Sequence, residues 1–363
     1  MNLRFNSGIV RVIGFFCCLQ PGHAAQASDA ARSTAAATAS SETAPGNKAF
    51  KRVTEEMDKA MQADSAATQS APLSFPKGNG LRILMTGHSW VAPGKITLPD
   101  IAKAAGYTDH VQRAHTSGGA KGSANSIWLN EHGQPEPTNA SRAILLPAIP
   151  TGQWDVMTWG AYTGDTPLHY SQWIDLCLKY NPAMVFYVQD GWPTPRLGAK
   201  DTPPNRMFEA LRAMYADTIM PMLERSIFGD LTRSYPGKVH LIPAGAAVVE
   251  MLRHYYAGEL PGFDCMAEVN GGKRGIFSPD SFHLSKTSGI GWIVGYCYYG
   301  MLYKKSPELI ADFLPKGVDR NEDTLMRRAA WHAITHHPLT GLTDKNGNGL
   351  ADQIETDAAP ANR

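Results

Sequence analysis

One short stretch indicates the fold: Leu81-Arg82-Ile83-Leu84-Met85-Thr86-Gly87-His88-Ser89-Trp90. Its apolar half ends in Thr86-Gly87, as a buried strand does where it enters a loop. Four later runs repeat the pattern, each closed by a small or polar residue: 111–115, 154–159, 184–188 and 239–242. The sequence therefore predicts five short strands.

Helical spacing of apolar residues fills the segments between these runs. The predicted helices span 97–105, 170–179 and 204–227, then start at Ala246, and end with an apolar helix over 285–303. Connections of this length cannot be hairpins, so they imply right-handed crossovers and a parallel sheet covered on both faces. We expect an α/β protein, a three-layer α/β/α sandwich with a five-stranded parallel sheet, whose site lies beyond the carboxyl ends of the strands.

Composition excludes several classes of protein. The chain of 363 residues carries 34 Lys and Arg against 33 Asp and Glu, so a net charge of +1 argues against a nucleic-acid partner. Only 5 Cys occur in this length, which excludes a disulfide-stapled scaffold. No apolar run beyond the first twenty residues approaches the roughly 18 residues that span a bilayer, so we do not expect an integral membrane protein after signal cleavage.

The N-terminus has the pattern of an export signal. Arg4 and Arg11 supply positive charge, an apolar stretch covers 12–19, and Ala25-Gln26-Ala27 fits a cleavage site. We therefore expect a signal peptide over 1–27 and a periplasmic or secreted protein. Residues 28–77 are rich in Ala, Ser and Thr and are predicted to be a linker with a helical patch over 48–61. A main domain over 78–315 and a C-terminal extension over 316–363 would follow.

Three residues from two distant stretches suggest nucleophilic chemistry. Ser89 follows the first strand directly, where a hydroxyl can stand above the sheet. A serine needs a base within hydrogen-bond reach, and His283 is the candidate. Asp280, three residues earlier, can accept the other ring N–H of that histidine and fix its tautomer. Each motif alone is also compatible with a helix cap or a local turn.

These elements resemble the SGNH (GDSL-like) hydrolase superfamily over roughly residues 80–310. Gly87-His88-Ser89 matches the family's Gly-Asp-Ser element, and Asp280-Ser281-Phe282-His283 matches its Asp-x-x-His near the C-terminus. The resemblance implies a flavodoxin-like sheet, a Ser-His-Asp triad and hydrolysis of esters without a catalytic cofactor. It also implies that a glycine after the second strand, Gly118 or Gly119, gives its N–H to the oxyanion.

Two positions depart from the family pattern. His88 stands where the family has Asp, and Gly160-Ala161-Tyr162-Thr163 lacks the Asn that helps to form the oxyanion hole. Loss of one such donor can cost about 2.7–4 kcal/mol of transition-state stabilisation. The backbone N–H of Ser89 and the amide of Gln189, at the end of the fourth strand, are the candidate replacements. Gln189 could equally be a loop-capping side chain.

The resemblance implies removal of acyl groups, and exported members often deacetylate polysaccharides. Trp90 and Trp192 flank the predicted site loops, and aromatic faces suit sugar rings, so an acylated glycan or another small ester is the expected substrate. Two alternatives stay open. One is a polysaccharide O-acyltransferase with the same triad, and the other is a glycan-binding protein with impaired catalysis.

A second motif lies in the C-terminal extension. Residues 344–355 carry oxygen ligands with the spacing of an EF-hand-like calcium loop, and Gly349 takes the position of the sharp turn. The predicted ligands of a structural Ca²⁺ are Asp344, Asn346, Asn348, Leu350, Asp352 and Glu355. A flexible polar tail is the alternative. His332, His336 and His337 lie close in sequence but lack a third ligand of clear spacing, so we interpret them as a helix end.

Overall fold

The computed structural model describes residues 79–133, 143–198, 202–268 and 273–358. The predicted signal peptide, the linker and the helical patch over 48–61 lie outside these residues. The strands are β1 Arg82–Gly87, β2 Val111–Thr116, β3 Val156–Gly160, β4 Val185–Gln189, β5 Val239–Ile242, β6 Cys265–Ala267 and β7 Gly275–Phe277. The main helices are α1 Ala92–Ala104, α2 Ala124–Glu131, α3 Pro167–Tyr180, α4 over 207–234, α5 Ala244–Tyr256, α6 Trp292–Tyr303, α7 Arg320–His336 and α8 Asp352–Ala358.

The first five strands form one parallel sheet in the order β2-β1-β3-β4-β5. This is the flavodoxin-like order, so the predicted α/β fold class is confirmed. β2 pairs with one edge of β1, and β3 pairs with the opposite edge of β1. A crevice therefore opens at the carboxyl ends of β1 and β3, beside Gly87 and Gly160.

Burial on both faces explains why the strands read as apolar runs rather than alternating ones. Ile83 and Met85 belong to the large core cluster that also contains residues of α1, α5 and α6. Leu84 is equally buried and, because successive side chains of a strand alternate, faces the other layer. The first strand is thus packed on both faces, and the loop that follows it at Gly87 borders the crevice.

The helix α6 is enclosed by protein. Every residue after Trp292 in this helix is buried, and its neighbours include α1, α5 and α7. Within the described ranges, no helix combines the length and apolarity needed to cross a membrane. The helix begins at Trp292 and not at Ser285 as predicted, because the Ser285 hydroxyl accepts the N–H groups of Thr287 and Ser288 in a local turn.

Other helix boundaries also differ from the predicted ones. The helix α1 begins at Ala92 and not at Thr97, since Pro93 is tolerated in a first turn. The helix α4 extends past the predicted end at residue 227 and contains wider π turns at Tyr215–Ile219 and Glu224–Phe228. Pro221 has no N–H to offer the preceding turn, which gives a physical reason for the first widening. Cys177, Cys265 and Cys297 are free.

A buried ionic network joins α7 to the rest of the core. The Arg327 side chain donates to Asp323 at 2.8 Å and to the carbonyls of Pro307 and Ile310 at 2.8 and 2.7 Å. The Tyr296 hydroxyl donates to the same aspartate. Arg327 and Asp323 are 5% and 4% exposed, so removing either charge would leave the other charge buried without its ionic partner. The extension that starts at 316 thus packs into the same core as the sheet.

Replacing Arg327 by Leu is therefore expected to lower the free energy of unfolding by about 3–5 kcal/mol. Urea denaturation followed by circular dichroism measures this loss. The neighbouring Arg328 is the matched control, because its bond to Glu308 is exposed to solvent. Arg328→Leu should change stability by no more than about 1 kcal/mol. Equal effects of the two substitutions would contradict the account of the network.

Candidate active site

The loop after β1 places Ser89 at the crevice. Gly87 has a φ of +152°, and a Cβ there would lie 2.4 Å from the Val91 side chain and 3.0 Å from the Gly160 nitrogen. A side chain at this position would push β1 away from β3. The turn continues with Val91 N–H donating to the His88 carbonyl at 3.0 Å, and α1 begins directly after it. Ser89 is half-buried on this turn.

The second stretch, 278–284, forms a tight loop after β7. Asp280 Oδ1 accepts the backbone N–H groups of Phe282 and His283 at 2.9 and 3.0 Å. Ser278 N–H donates to the His283 carbonyl at 2.8 Å, and Phe277 pairs with Leu284 across the loop. These bonds hold the histidine and the aspartate on one rigid turn.

The two stretches, 194 residues apart in sequence between Ser89 and His283, meet in the crevice. The Ser89 Oγ lies 2.8 Å from His283 Nε2, and His283 Nδ1 lies 2.5 Å from Asp280 Oδ2. The imidazole therefore donates from Nδ1 to the carboxylate and presents the Nε2 lone pair to the serine hydroxyl. Burial is the largest single influence and raises the pKa of Asp280, but the hydrogen bonds from His283 and Phe282 together outweigh it and lower the pKa to about 2.

This arrangement has a definite chemical capacity. A serine hydroxyl becomes a nucleophile when a neutral imidazole accepts its proton, and an ionised carboxylate stabilises the imidazolium that forms. All three side chains are partly exposed, so a substrate can reach them. The structure thus brings together the three residues that the sequence analysis selected from separate ends of the domain.

The loop after β2 borders the nucleophile. The 3-10 turn Gly119–Gly122 packs against β1, since a Cβ on Gly122 would lie 2.6 Å from His88 Cα and from the Gly87 oxygen. Ser117 N–H donates to the same Gly87 oxygen at 3.1 Å. Gly118 and Gly119 are exposed, with open space on the side where a Cβ would stand. A substrate oxygen can therefore approach their backbone.

The predicted oxyanion role of Gln189 does not agree with its surroundings. This side chain is only 1% exposed, and its Nε2 donates to the carbonyls of Trp90 at 3.1 Å and Asp190 at 3.4 Å. The amide hydrogens are directed to backbone carbonyls and not to the crevice. Gln189 is therefore a loop-capping side chain, the other role that its sequence position allows.

The predicted sugar platform also differs from what the structure shows. Trp192 is 1% exposed and Trp90 is 9% exposed, and their rings stack on each other with centroids 4.7 Å apart. The Phe282 ring packs on Trp90, with ring centroids 4.8 Å apart. A fully buried indole cannot offer a face to a sugar ring, so Trp192 supports the loop beneath the histidine instead. Its Nε1 donates to the Phe282 carbonyl at 3.2 Å.

His88 has a supporting position that its sequence context did not reveal. Its Nε2 donates to the Ala161 carbonyl at 2.9 Å, so the loop after β1 is tied to the loop after β3. The ring also packs edge-on against Tyr162. Burial lowers the pKa of His88, despite the bond to Ala161, and so keeps the ring neutral. No local pattern could have indicated a partner in another loop.

Two buried carboxylates fix the remaining site loops. Asp165 accepts the Tyr170 hydroxyl at 2.7 Å and the Tyr162 N–H at 3.1 Å, which shapes the loop after β3. Asp190 accepts the Tyr215 hydroxyl and the Gly245 N–H, both at 2.6 Å, and so joins the end of β4 to the start of α5. Burial raises the pKa of both groups, that of Asp190 to about 7.

The C-terminal loop brings together four of the six predicted calcium ligands. The Glu355 carboxylate accepts the side-chain amides of Asn346 and Asn348 at 3.0 and 2.5 Å. The Asn348 N–H donates to Asp344 at 3.1 Å, and the N–H of Leu350 donates to the Asn348 side chain at 2.8 Å. The loop is attached to the core where Leu350 pairs with Lys305.

Asp352 is directed elsewhere. Its oxygens accept the Thr343 hydroxyl at 2.7 Å and the Lys345 N–H at 3.1 Å. Among the described residues, no three His, Cys, Asp or Glu side chains are gathered as a metal site requires. The oxygen donors of Asp344, Asn346, Asn348 and Glu355 nevertheless suit a hard cation, with a low ligand charge. His332 and His336 stack on one face of α7 and complete no such group.

Fold and contacts together define an α/β protein with a serine, an imidazole and a carboxylate aligned at the switch point of a flavodoxin-like sheet. No family model matches the chain, and no curated protein matches it. Among solved structures, a DUF4886 family protein from Bacteroides uniformis ATCC 8492 is similar at 15% identity and a TM-score of 0.47, over 71% of this chain and 96% of that one.

Two further solved structures are similar. A protein named as a GDSL-like lipase from Parabacteroides merdae ATCC 43184 has 9% identity and a TM-score of 0.34, over 61% of this chain and 95% of that one. A protein named as a platelet activating factor from Streptococcus pneumonia has 13% identity and a TM-score of 0.31, over 69% and 98%. At this level of similarity the comparisons do not bear on activity.

Proposed function

We propose that this protein is a serine ester hydrolase. The main support is a hydrogen-bonded triad, in which Ser89 Oγ lies 2.8 Å from His283 Nε2 and His283 Nδ1 lies 2.5 Å from Asp280 Oδ2. The ionised Asp280 selects the tautomer that leaves His283 Nε2 free to accept the serine proton. Few structural roles require a half-exposed serine, an imidazole and a carboxylate in this order.

The reaction follows from these positions. His283 takes the Ser89 proton while the oxygen attacks the ester carbonyl, and the negative charge moves to the carbonyl oxygen. The backbone N–H groups of Ser89 and of Gly118 or Gly119 are the proposed donors to that oxygen, replacing the family's Asn. The imidazolium returns its proton to the leaving alcohol. Water then hydrolyses the acyl enzyme through the same two proton transfers.

The proposed substrate is an acetylated carbohydrate. Removal of acetyl groups from a carbohydrate follows from the resemblance and from the expected export of the chain to the periplasm or beyond the cell. The buried Trp192 gives it no support. The transferase alternative uses the same triad, with a sugar hydroxyl in the place of water.

A turnover assay tests the proposal directly. The full chain should hydrolyse p-nitrophenyl acetate and release acetate, measured separately from the coloured alcohol. Adding a xylo-oligosaccharide acceptor separates the two chemistries, since a transferase would form acetylated sugar and a hydrolase would still release acetate. Absence of both products would contradict the proposed function.

We also propose that the 344–355 loop binds Ca²⁺. The side chains of Asp344, Asn346, Asn348 and Glu355, which the loop already brings into hydrogen-bond contact, support this, together with the attachment of the loop to the core. The ion would replace the hydrogen bonds that Glu355 now accepts from the two asparagine amides. Its effect would be to fix the loop, far from the proposed reaction.

Calcium should therefore raise the melting temperature of the protein. With an affinity near 10⁻⁴ M, 10 mM Ca²⁺ adds about 2.7 kcal/mol and shifts melting by about 5 °C or more relative to EDTA. Glu355→Gln should remove the shift, whereas Glu308→Gln, a glutamate outside the loop, should keep it. An unchanged melting temperature in calcium, or an equal shift in both variants, would contradict the site.

A further inference from the structure

Arg196 stands at the mouth of the proposed active site. Its side chain is exposed, and its guanidinium carbon lies 5.6 Å from the centroid of the Phe282 ring. That ring in turn lies 5.0 Å from the imidazole of His283. The guanidinium is therefore no farther from the imidazole than the sum of these two distances. A substrate can therefore contact the guanidinium through a group that lies a few bonds from its reacting carbonyl, while the carbonyl itself lies beside His283.

The arginine is held in place before any substrate arrives. Its backbone N–H donates to the Ser281 carbonyl at 3.2 Å, which attaches the turn Pro195–Gly198 to the histidine loop. Trp192 makes the second attachment through its bond to the Phe282 carbonyl at 3.2 Å. Pro195 restricts the backbone between them, and the cation–π contact with Phe282 orients the side chain. Such preorganisation reduces the entropy lost on binding.

The charges around the crevice favour an anion. Lys121 lies on the turn after β2, and Lys95 Nζ reaches the carboxyl end of that strand, where it donates to Thr116 at 2.9 Å. In the described parts of the site loops, the carboxylates Asp165 and Asp190 are buried and fully engaged. The carboxylate of Asp280 is occupied by the histidine. Arg196 thus adds an exposed positive charge beside Phe282 and the histidine loop.

We propose that Arg196 is a specificity-determining residue that binds a negatively charged group on the ester, so that the substrates are anionic esters. This inference rests on the proposed hydrolase function and names its substrate class. The guanidinium fork fits a carboxylate through two parallel N–H bonds. A neutral ester lacks this contact and is bound only by the triad and its surroundings.

Matched ester pairs test the inference on the full chain. On the alcohol side, 4-acetoxybenzoate is compared with neutral 4-acetoxybenzamide. On the acyl side, 4-nitrophenyl hydrogen succinate is compared with 4-nitrophenyl butanoate. In Arg196→Gln, kcat/KM for the preferred anionic ester should fall about tenfold, mainly because KM rises. The value of kcat/KM for the matched neutral ester should change little. Arg212→Gln, an exposed arginine paired with Glu209, is the control and should leave both values unchanged.

The outcomes separate the inference from the function on which it rests. No hydrolysis of any ester by the unaltered protein contradicts the proposed function itself. Hydrolysis without preference for either anionic ester overturns the role of Arg196. An equal loss for charged and neutral esters in Arg196→Gln also overturns it, because it would show that the arginine only supports Phe282. A loss confined to one anionic ester supports the inference and locates the charge on the acyl or the alcohol side.

Discussion

Replacing Ser89 by Ala is expected to lower kcat for p-nitrophenyl acetate by roughly 10⁶-fold, as loss of a triad nucleophile does. The methyl group leaves His283 without a hydroxyl to deprotonate, and no covalent intermediate can form. The change removes one oxygen from a half-exposed turn, so folding should be unaffected. Initial rates at saturating ester, with circular dichroism as the check on structure, measure the effect.

Ser226→Ala is the matched control for this substitution. That serine donates to the Met222 carbonyl within α4 and has no part in the site loops. Its loss should leave kcat unchanged. A Ser89→Ala variant that retains even a tenth of the activity would show that the observed turnover comes from another group, and the assigned triad would then be wrong.

Asp280→Asn has the second largest expected effect, a fall in kcat of about 10⁴-fold. The amide keeps the shape of the side chain but no longer carries the charge that stabilises the imidazolium. It also favours the tautomer with Nε2 protonated, which cannot accept the Ser89 proton. Asp312→Asn, an exposed carboxylate before α7, serves as the control. Equal activity in the two variants would contradict the role of Asp280.

The same substitution has a signature in the pH dependence of stability. The folded pKa of Asp280, about 2, lies below its ordinary value of 3.8. A depressed acid pKa adds stability above the ordinary value, and this is lost as the pH falls towards the folded value. Asp280→Asn should therefore lose less stability than the unaltered protein between about pH 4 and pH 2, as denaturation curves can show.

The reacting residues could be predicted from sequence because each is marked by local pattern. Ser89 follows a strand directly, and Asp280 lies three residues before His283 on one turn. The rule that sites form at the carboxyl ends of parallel strands then relates the two stretches. The 2.8 Å distance between Ser89 Oγ and His283 Nε2 depends on the tertiary structure. That the two stretches meet at this end of the sheet could be inferred from the order of strands and helices.

The supporting residues could not be predicted in the same way. The Gln189 amide bonds to Trp90, 99 residues earlier, and Trp192 is buried by contacts with Trp90 and the histidine loop. Burial of a polar or aromatic side chain depends on such neighbours, which local composition does not specify. The same reason explains why His88 was seen only as a departure from a family pattern, although its ring joins two of the site loops.

Covalent labelling of the full chain tests the central claim most directly. The protein is incubated with a fluorophosphonate, digested, and the modified peptide is sequenced by mass spectrometry. The account predicts a single phosphonyl adduct on Ser89, lost in Ser89→Ala and strongly slowed in Asp280→Asn. An adduct on a different residue, or none while ester turnover continues, would contradict it.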